Sequence, residues 1–412
     1  MAAKILLGAA SLILAIAMSG CSSTKGCPTA TPGSAGGTSA GASGGATQST
    51  GACTVGGGGG GGGNPTATGK PAAFAYYVNQ LMIGATVVDT SGNFGQLLGF
   101  ANPPSSLQAL DTMVVAQTKW LYQLVGSQLV GYSINGGTGA LTAIPGSPFP
   151  LSGTEVASLS TDSAGKFLFV CAANNDEVQV LSINQTSGAL APVGTFATTG
   201  FAAQATTDGL GKYLYVTAGN SGNTVDVYAI SSTGLLTPTV GSPFSISIAT
   251  LRSEPTGKFL LGVTGDGANN GSGPDNHVYV FSIDQSTGTP SQVSGSPFPT
   301  TSIPADLAVH PNGTLVYTFN NVVNSPTPGL TPVEGFQLDT SSGQLTALAG
   351  SPFKGMVAPH GFFDQSGAFL FLHPSDKIEV ASVDSATGAL IAVGSPVTGV
   401  GQSEILAVAD AH

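Results

Sequence analysis

Residues 156–190 read VASLSTDSAGKFLFVCAANNDEVQVLSINQTSGAL, four short runs separated by turns of different chemistry. Residues 156–161 form the first extended run, and Asp162-Ser163-Ala164-Gly165 predicts a tight hairpin turn, because glycine accepts the positive φ such a turn asks for. Phe167-Leu168-Phe169-Val170 is apolar on both faces, as a strand sandwiched between two neighbouring sheets must be. After the polar loop 173–176, Glu177-Val178-Gln179-Val180-Leu181-Ser182-Ile183 alternates with period two, the pattern of a strand nearer a rim. Asn184-Gln185-Thr186-Ser187-Gly188 then turns the chain, and Ala189-Leu190 opens a fourth strand. The stretch predicts one four-stranded antiparallel blade of a β-propeller.

The same phrase recurs. Its second run returns as Gly211-Lys212-Tyr213-Leu214-Tyr215-Val216, Gly257-Lys258-Phe259-Leu260-Leu261, Gly313-Thr314-Leu315-Val316-Tyr317 and Gly367-Ala368-Phe369-Leu370-Phe371. Degenerate copies precede these at Lys119-Trp120-Leu121-Tyr122 and Phe74-Ala75-Tyr76-Tyr77-Val78. A block Gly-Ser-Pro-Phe closes four of the units, at 146–149, 241–244, 295–298 and 350–353. The expectation is an all-β, seven-bladed propeller over residues 73–412. The first unit has no innermost strand ahead of Phe74, and the apolar run 404–410 supplies it, so the two ends of the chain close the ring and remove its exposed sheet edges. A repeat of this kind forms one body even in a chain of 412 residues.

Composition narrows the partners. Charged residues make up only 8% of the chain, its formal net charge is -11, and Arg252 is its one arginine, so nucleic acid is excluded as a partner for want of clustered cations. Residues 1–21 have the form of a targeting segment: Lys4, an apolar stretch over 5–17, then Met18-Ser19-Gly20-Cys21. The apolar stretch is too short to span a bilayer, which takes about 20 residues. From 22 to 72 the chain is Gly, Ser, Thr and Ala, with eight consecutive glycines at 56–63, and it predicts a disordered tether. Cys27 and Cys53 lie in that tether and would either pair or stay separate; Cys171, inside an apolar run, predicts a small buried hydrophobe.

Residues 1–21 resemble a bacterial lipoprotein signal. The resemblance implies a diacylglyceryl group on the Cys21 thiol, a membrane anchor, and, from Ser22, sorting to an outer membrane facing periplasm or cell surface. The repeats resemble the lactonase-type seven-bladed propellers with YVTN-like repeats; Tyr215-Val216-Thr217, Val227-Tyr228-Ala229-Ile230 and the Thr-Gly-Ala-Leu turns at 138–141 and 387–390 carry the likeness. It covers 73–412 and implies a fold more firmly than a chemistry. The family includes hydrolases of 6-phosphogluconolactone, muconate-lactone enzymes and exported proteins without an assigned activity.

Antiparallel blades put the start of each innermost strand and the loop between the second and third strands at one end of the ring, its mouth. With the units aligned on their turn glycines, for which the second unit has Thr118, the position seven residues earlier reads Asp111, Ser158, Gln204, Thr250, Asp306 and His360, with Glu404 near the same place in the closing strand. These residues are expected to rim the channel as ligand-binding positions. Arg252, two residues beyond Thr250, joins Asp306 and His360 in a row over the fifth, sixth and seventh blades. The turn-to-turn interval grows from 46 to 56 and 54 residues there, lengthening the loops 265–276 and 320–330. Long loops over polar rim residues predict a pocket.

For hydrolysis of a cyclic ester, His360 would be the base, Asp306 its orienter and Arg252 a clamp on the carbonyl or a carboxylate. Pro359-His360-Gly361, with Asp364 and Gly367, resembles the His-containing strand start of family enzymes. Three readings stay open: a monomeric binding module for a small molecule, glycan or envelope protein, which is preferred; a lactonase; and a structural envelope protein. No cofactor or metal is expected, since rim carboxylates are usually solvated and Asp266-Gly267-Ala268 breaks the calcium-loop pattern.

Overall fold

A computed structural model describes residues 67, 69–79, 82–97, 109–152, 156–219, 224–265, 275–320, 332–374, 376–400 and 406–412. It is a propeller of seven antiparallel sheets, each built on four strands. Blade 3 contains Val156–Thr161, Phe167–Ala172, Glu177–Ile183 and Leu190–Ala197 from the axis outward, as its turn chemistry predicts. Asp162 makes the first turn: its Oδ1 accepts the backbone amides of Lys166 and Phe167, both at 2.7 Å. Asn184 makes the second, with Oδ1 accepting from Thr186 and Ser187.

The apolar character of the second strands follows from blade stacking. Phe167, Phe169 and Cys171 pack toward Leu214 and Val216 of blade 4, whereas Leu168 and Val170 pack toward Tyr122 and Leu124 of blade 2. Seven such clusters occur among the described residues, each shared by adjacent blades. Cys171 is fully buried, and burial pushes its thiol up to about 12. Buried hydroxyls tie several interfaces: Tyr76, Tyr122, Tyr215 and Tyr317 donate to the carbonyls of Gly139, Gly188, Gly288 and Gly388 in the outer turn of the next blade.

The ring closes as expected. Leu406–Asp410 pairs antiparallel with Pro71–Asn79, with Tyr77 opposite Leu406 and Ala73 opposite Asp410, and so becomes the innermost strand of blade 1. Residues 404 and 405, expected in that strand, lie outside the described residues. The second strand of blade 1 starts at Pro71, ahead of the expected boundary at 73, because its hairpin with Met82–Asp89 runs to a Pro71–Asp89 pair.

The Gly-Ser-Pro-Phe block lies within a blade's outer edge, where the outermost strand breaks and resumes. Phe149 and Phe298 pair again with Leu129 and Val278 of their third strands, and Phe244 and Phe353 form bridges to Val225 and Val333. The Ser147, Ser242, Ser296 and Ser351 hydroxyls accept the amides of Gly131, Val227, Val280 and Gly335 at 3.0, 2.9, 2.9 and 2.9 Å, and the following prolines are cis. Blade 3 has Gly194-Thr195-Phe196 instead, and its outermost strand runs unbroken past a register shift.

Candidate functional site

The seven innermost strands touch in a circle, so the residues at their starts surround one opening. Ser158, Gln204, Thr250 and Asp306 lie opposite Cys171, Thr217, Val263 and Phe319, each the fifth residue of its second strand. His360 immediately precedes Gly361–Phe363 of blade 7. The turn glycines therefore align these five positions in space as they do in the sequence. Asp111 lies in Ala109–Ala116 where the register shifts between Ala109 and Met113, and its side chain is outside the described residues, as is all of Glu404. The loops 265–276 and 320–330 also lie mostly outside them.

Arg252, Asp306 and His360 meet. Arg252 Nη2 donates to Asp306 Oδ1 at 2.8 Å and Oδ2 at 3.0 Å, and His360 Nδ1 stands 2.9 Å from Asp306 Oδ2. The Leu307 amide donates to Asp306 Oδ1 at 2.7 Å, so the carboxylate is held from three blades. The Asp306 side chain is 4% exposed, but those of Arg252 and His360 are 30% and 31% exposed. The anion is thus buried beneath two groups that reach the surface. Burial alone would push its carboxyl up; the Arg252 charge, the His360 bond and the Leu307 amide outweigh burial and hold it below the ordinary carboxylate range. An ionised carboxylate can only accept, so His360 Nδ1 carries hydrogen and, in the neutral ring, Nε2 is the basic nitrogen.

Local sequence explains the placement of His360. A Cβ on Gly361 would fall 2.2 Å from Phe319 Cζ, so only glycine lets the chain close over that ring directly after His360. The connection leading into it is held by Asn320, whose amide donates to Ala358 O at 3.1 Å, and by Val333, whose amide donates to Met356 O at 2.8 Å.

Gln204 Oε1 accepts the Leu251 amide at 2.9 Å, tying blade 4 to blade 5. Leu251 O in turn accepts from Arg252 Nη1 at 3.0 Å, so a polar chain runs along the rim from Gln204 to His360. Ser158 Oγ is buried in blade 3, outside that chain, and Thr250 is half-buried beside it. The sequence offers His373, just after an apolar run, as a structural residue. The Gly361–Leu372 pair brings its backbone beside that of His360; its ring is buried without a hydrogen-bond partner among the described residues, and burial, then the nearby His360, lowers it to about 4. Among the described residues no group of three or more His, Cys, Asp or Glu is arranged to hold a metal ion. A cleft of about 370 Å³ at the edge between blades 4 and 5, lined by Phe244, Ile246, Tyr279 and Phe281, contains none of these residues.

Residues 122–251 match the family model described as Lactonase, 7-bladed beta-propeller. A putative 6-phosphogluconolactonase from Bacteroides fragilis is similar in structure, with a TM-score of 0.65 and 16% identity over 84% of this chain and 100% of that one. A second, from Bacteroides uniformis, gives 0.64 and 15% over 82% and 99%. The periplasmic gluconolactonase of Pseudomonas aeruginosa gives 0.61 and 17% over 83% and 100%. No curated protein matches the chain. In fold, the chain is a seven-bladed propeller similar to these structures.

Proposed function

We propose that this lactonase-type propeller binds a small polar ligand of the cyclic-ester or sugar kind at the mouth formed by blades 5, 6 and 7. The observation that carries the reading is the burial of Asp306 beneath Arg252 and His360, which keep about a third of their side-chain surface exposed. A purely structural ion pair has no need to present both partners at the opening of a channel. The buried carboxylate fixes the two donors, so little side-chain freedom is lost when a ligand meets them. The names of the similar solved proteins, 6-phosphogluconolactonase and gluconolactonase, support an aldonolactone as the class to test first.

A second reading, hydrolysis of that ester, is favoured by the 2.9 Å contact between His360 Nδ1 and Asp306. In it, His360 Nε2 takes a proton from water as the water oxygen bonds to the ester carbonyl carbon. The carbonyl electron pair moves onto its oxygen, and collapse of that intermediate breaks the ring C–O bond, the imidazolium returning the proton to the ring oxygen. Arg252 is a weaker clamp than the sequence suggests: of its five N–H groups, Nη2 serves Asp306 and one on Nη1 serves Leu251 O, leaving Nε–H and the other Nη1–H for an oxyanion.

Calorimetric titration with glucono-1,5-lactone and turnover on a lactone panel test both readings, with His360→Ala as the control. Specific binding without turnover supports the module, and turnover abolished by His360→Ala supports the enzyme. Absence of both, together with unchanged fitness when Arg252, Asp306 and His360 are all alanine, would leave the structural reading.

The anchor belongs to the same proposal. A lipidated Cys21 and the tether 22–72 would hold the propeller at a bacterial envelope membrane, as a monomer; the support is the sequence pattern alone. Cys21→Ala should move the protein from the membrane to the soluble fraction, and an unchanged membrane fraction would refute the anchor.

A further inference from the structure

The charges around the mouth define which ligands it can take. Arg252 is the one arginine of the chain, and its guanidinium lies 2.8 Å from a buried carboxylate that also faces His360. To a ligand approaching from the channel, the Arg252–Asp306 pair is close to neutral. An added anion would feel the guanidinium and the carboxylate beneath it together, and the attraction of one largely offsets the repulsion of the other.

No lysine makes up the difference. Residues 70–412 contain seven. Lys119, Lys166, Lys212 and Lys258 precede the second strands of blades 2 to 5, at the turns that join first and second strands, and these turns lie at the end of the ring opposite the mouth. Their equivalence is structural: each carbonyl accepts the amide of the residue closing its third strand, Ile134, Ile183, Ile230 or Ile283, at 2.8 Å. Lys70 precedes the second strand of blade 1 at the same end. Lys377 begins the third strand of blade 7, at the mouth end, but its Nζ is 2.5 Å from Glu379 Oε1. Lys354 is exposed beside Phe353, whose bridge to Val333 puts it on the outer edge of blade 6. The segments 98–108, 153–155, 220–223, 266–274, 321–331 and 401–405 contain no Lys or Arg, and they include the acids Glu155, Asp266 and Glu404.

We infer that the mouth selects an uncharged ligand, a polyol or cyclic ester without phosphate or carboxylate, and discriminates against the phosphorylated form of the same molecule. The inference rests on the proposed binding site at this mouth and sets its substrate class. A phosphate monoester brings a charge of about −1.5 to −2, and transfer from water into a partly dry opening without a second cation costs it hydration that the site does not return. Hydroxyl groups, by contrast, are matched by the remaining Arg252 donors and by the Thr250 side chain.

The test is calorimetric titration of the full chain, at low ionic strength, with glucono-1,5-lactam and with its 6-phosphate. These analogues resist hydrolysis and differ only in the charged group. The unphosphorylated lactam should bind at least tenfold more tightly. Thr250→Lys, which adds a cation at the rim and leaves Asp306 in place, should narrow that ratio at least fivefold, and Asp306→Asn, which uncovers the Arg252 charge, should narrow it as well. Thermal unfolding of each variant shows whether it has kept the fold. Equal or tighter binding of the phosphate by the natural chain overturns the charge selection while the binding site stands; so does a ratio that Thr250→Lys does not move. If neither lactam binds, the binding site and the selection fall together.

Discussion

Asp306 accepts from Arg252 on one side and His360 on the other, and the two donors come from blades that do not neighbour each other. One carboxylate thus fixes the mutual position of three blades at the mouth. Asp306→Asn keeps the shape and removes the charge, and it should destabilise the fold by about 2 kcal/mol, as expected when a charged hydrogen-bond partner is lost from a partly buried site. Urea unfolding at pH 7 measures this. The carboxyl of Asp306 lies below its ordinary range in the folded state, so its contribution is present above about pH 4, its unfolded value, and is lost as pH falls through the folded value. The gap between the natural chain and Asp306→Asn should accordingly close at low pH.

His373 has the opposite chemistry and a higher window. Its proton affinity is lowered to about 4 in the fold, against an ordinary 6.5, so the unfolded chain binds a proton first. Stability should be full above about pH 6.5 and fall toward pH 4, by on the order of 1–3 kcal/mol. His373→Phe, filling the same buried place without a titrating ring, should flatten the slope of stability between pH 7 and 5. A slope unchanged in that variant would show that another group sets it.

The inter-blade hydroxyls make a separate prediction. Tyr215→Phe leaves the Gly288 carbonyl without its 2.8 Å donor in a buried interface between blades 4 and 5, at a cost of about 1–3 kcal/mol. Phe169→Ala, at a position without such a hydroxyl, should cost about 3–5 kcal/mol through its cavity alone. Denaturant midpoints of the two variants test whether packing outweighs the polar tie.

Removal of residues 406–412 should abolish cooperative unfolding. It strips the innermost strand from blade 1 and exposes Phe74 and Tyr76, which pack with Ala407 and Ala409. Size-exclusion chromatography should show aggregation or strand exchange between copies. A truncated chain that stays monomeric with the natural midpoint would contradict this.

The blade was legible because its information is local: turn glycines, Asp162 and Asn184 caps, and strands whose two apolar faces announce neighbours on both sides. The rim was legible for the same reason, since a repeat carries its register from copy to copy; counting back from Gly313 and Gly367 finds Asp306 and His360, and the structure brings them together. Three features escaped. Gln204 faces the Leu251 amide because an adjacent blade presents a bare donor there, which one unit's sequence does not display. The Gly-Ser-Pro-Phe block looks like an end because it breaks the alternation, yet its serine accepts an amide from within a third strand, sixteen residues back or fewer. His373 resembles the tail of an apolar run, and its nearness to His360 comes from pairing across the hairpin.

The clasp between Leu406–Asp410 and Pro71–Asn79 joins the first part of the propeller to be synthesised with the last. Until residues 406–410 have been made, six blades can settle while blade 1 waits with a naked edge. The pairing of 406–410 thereby hides that edge from proteases and from other copies of the chain.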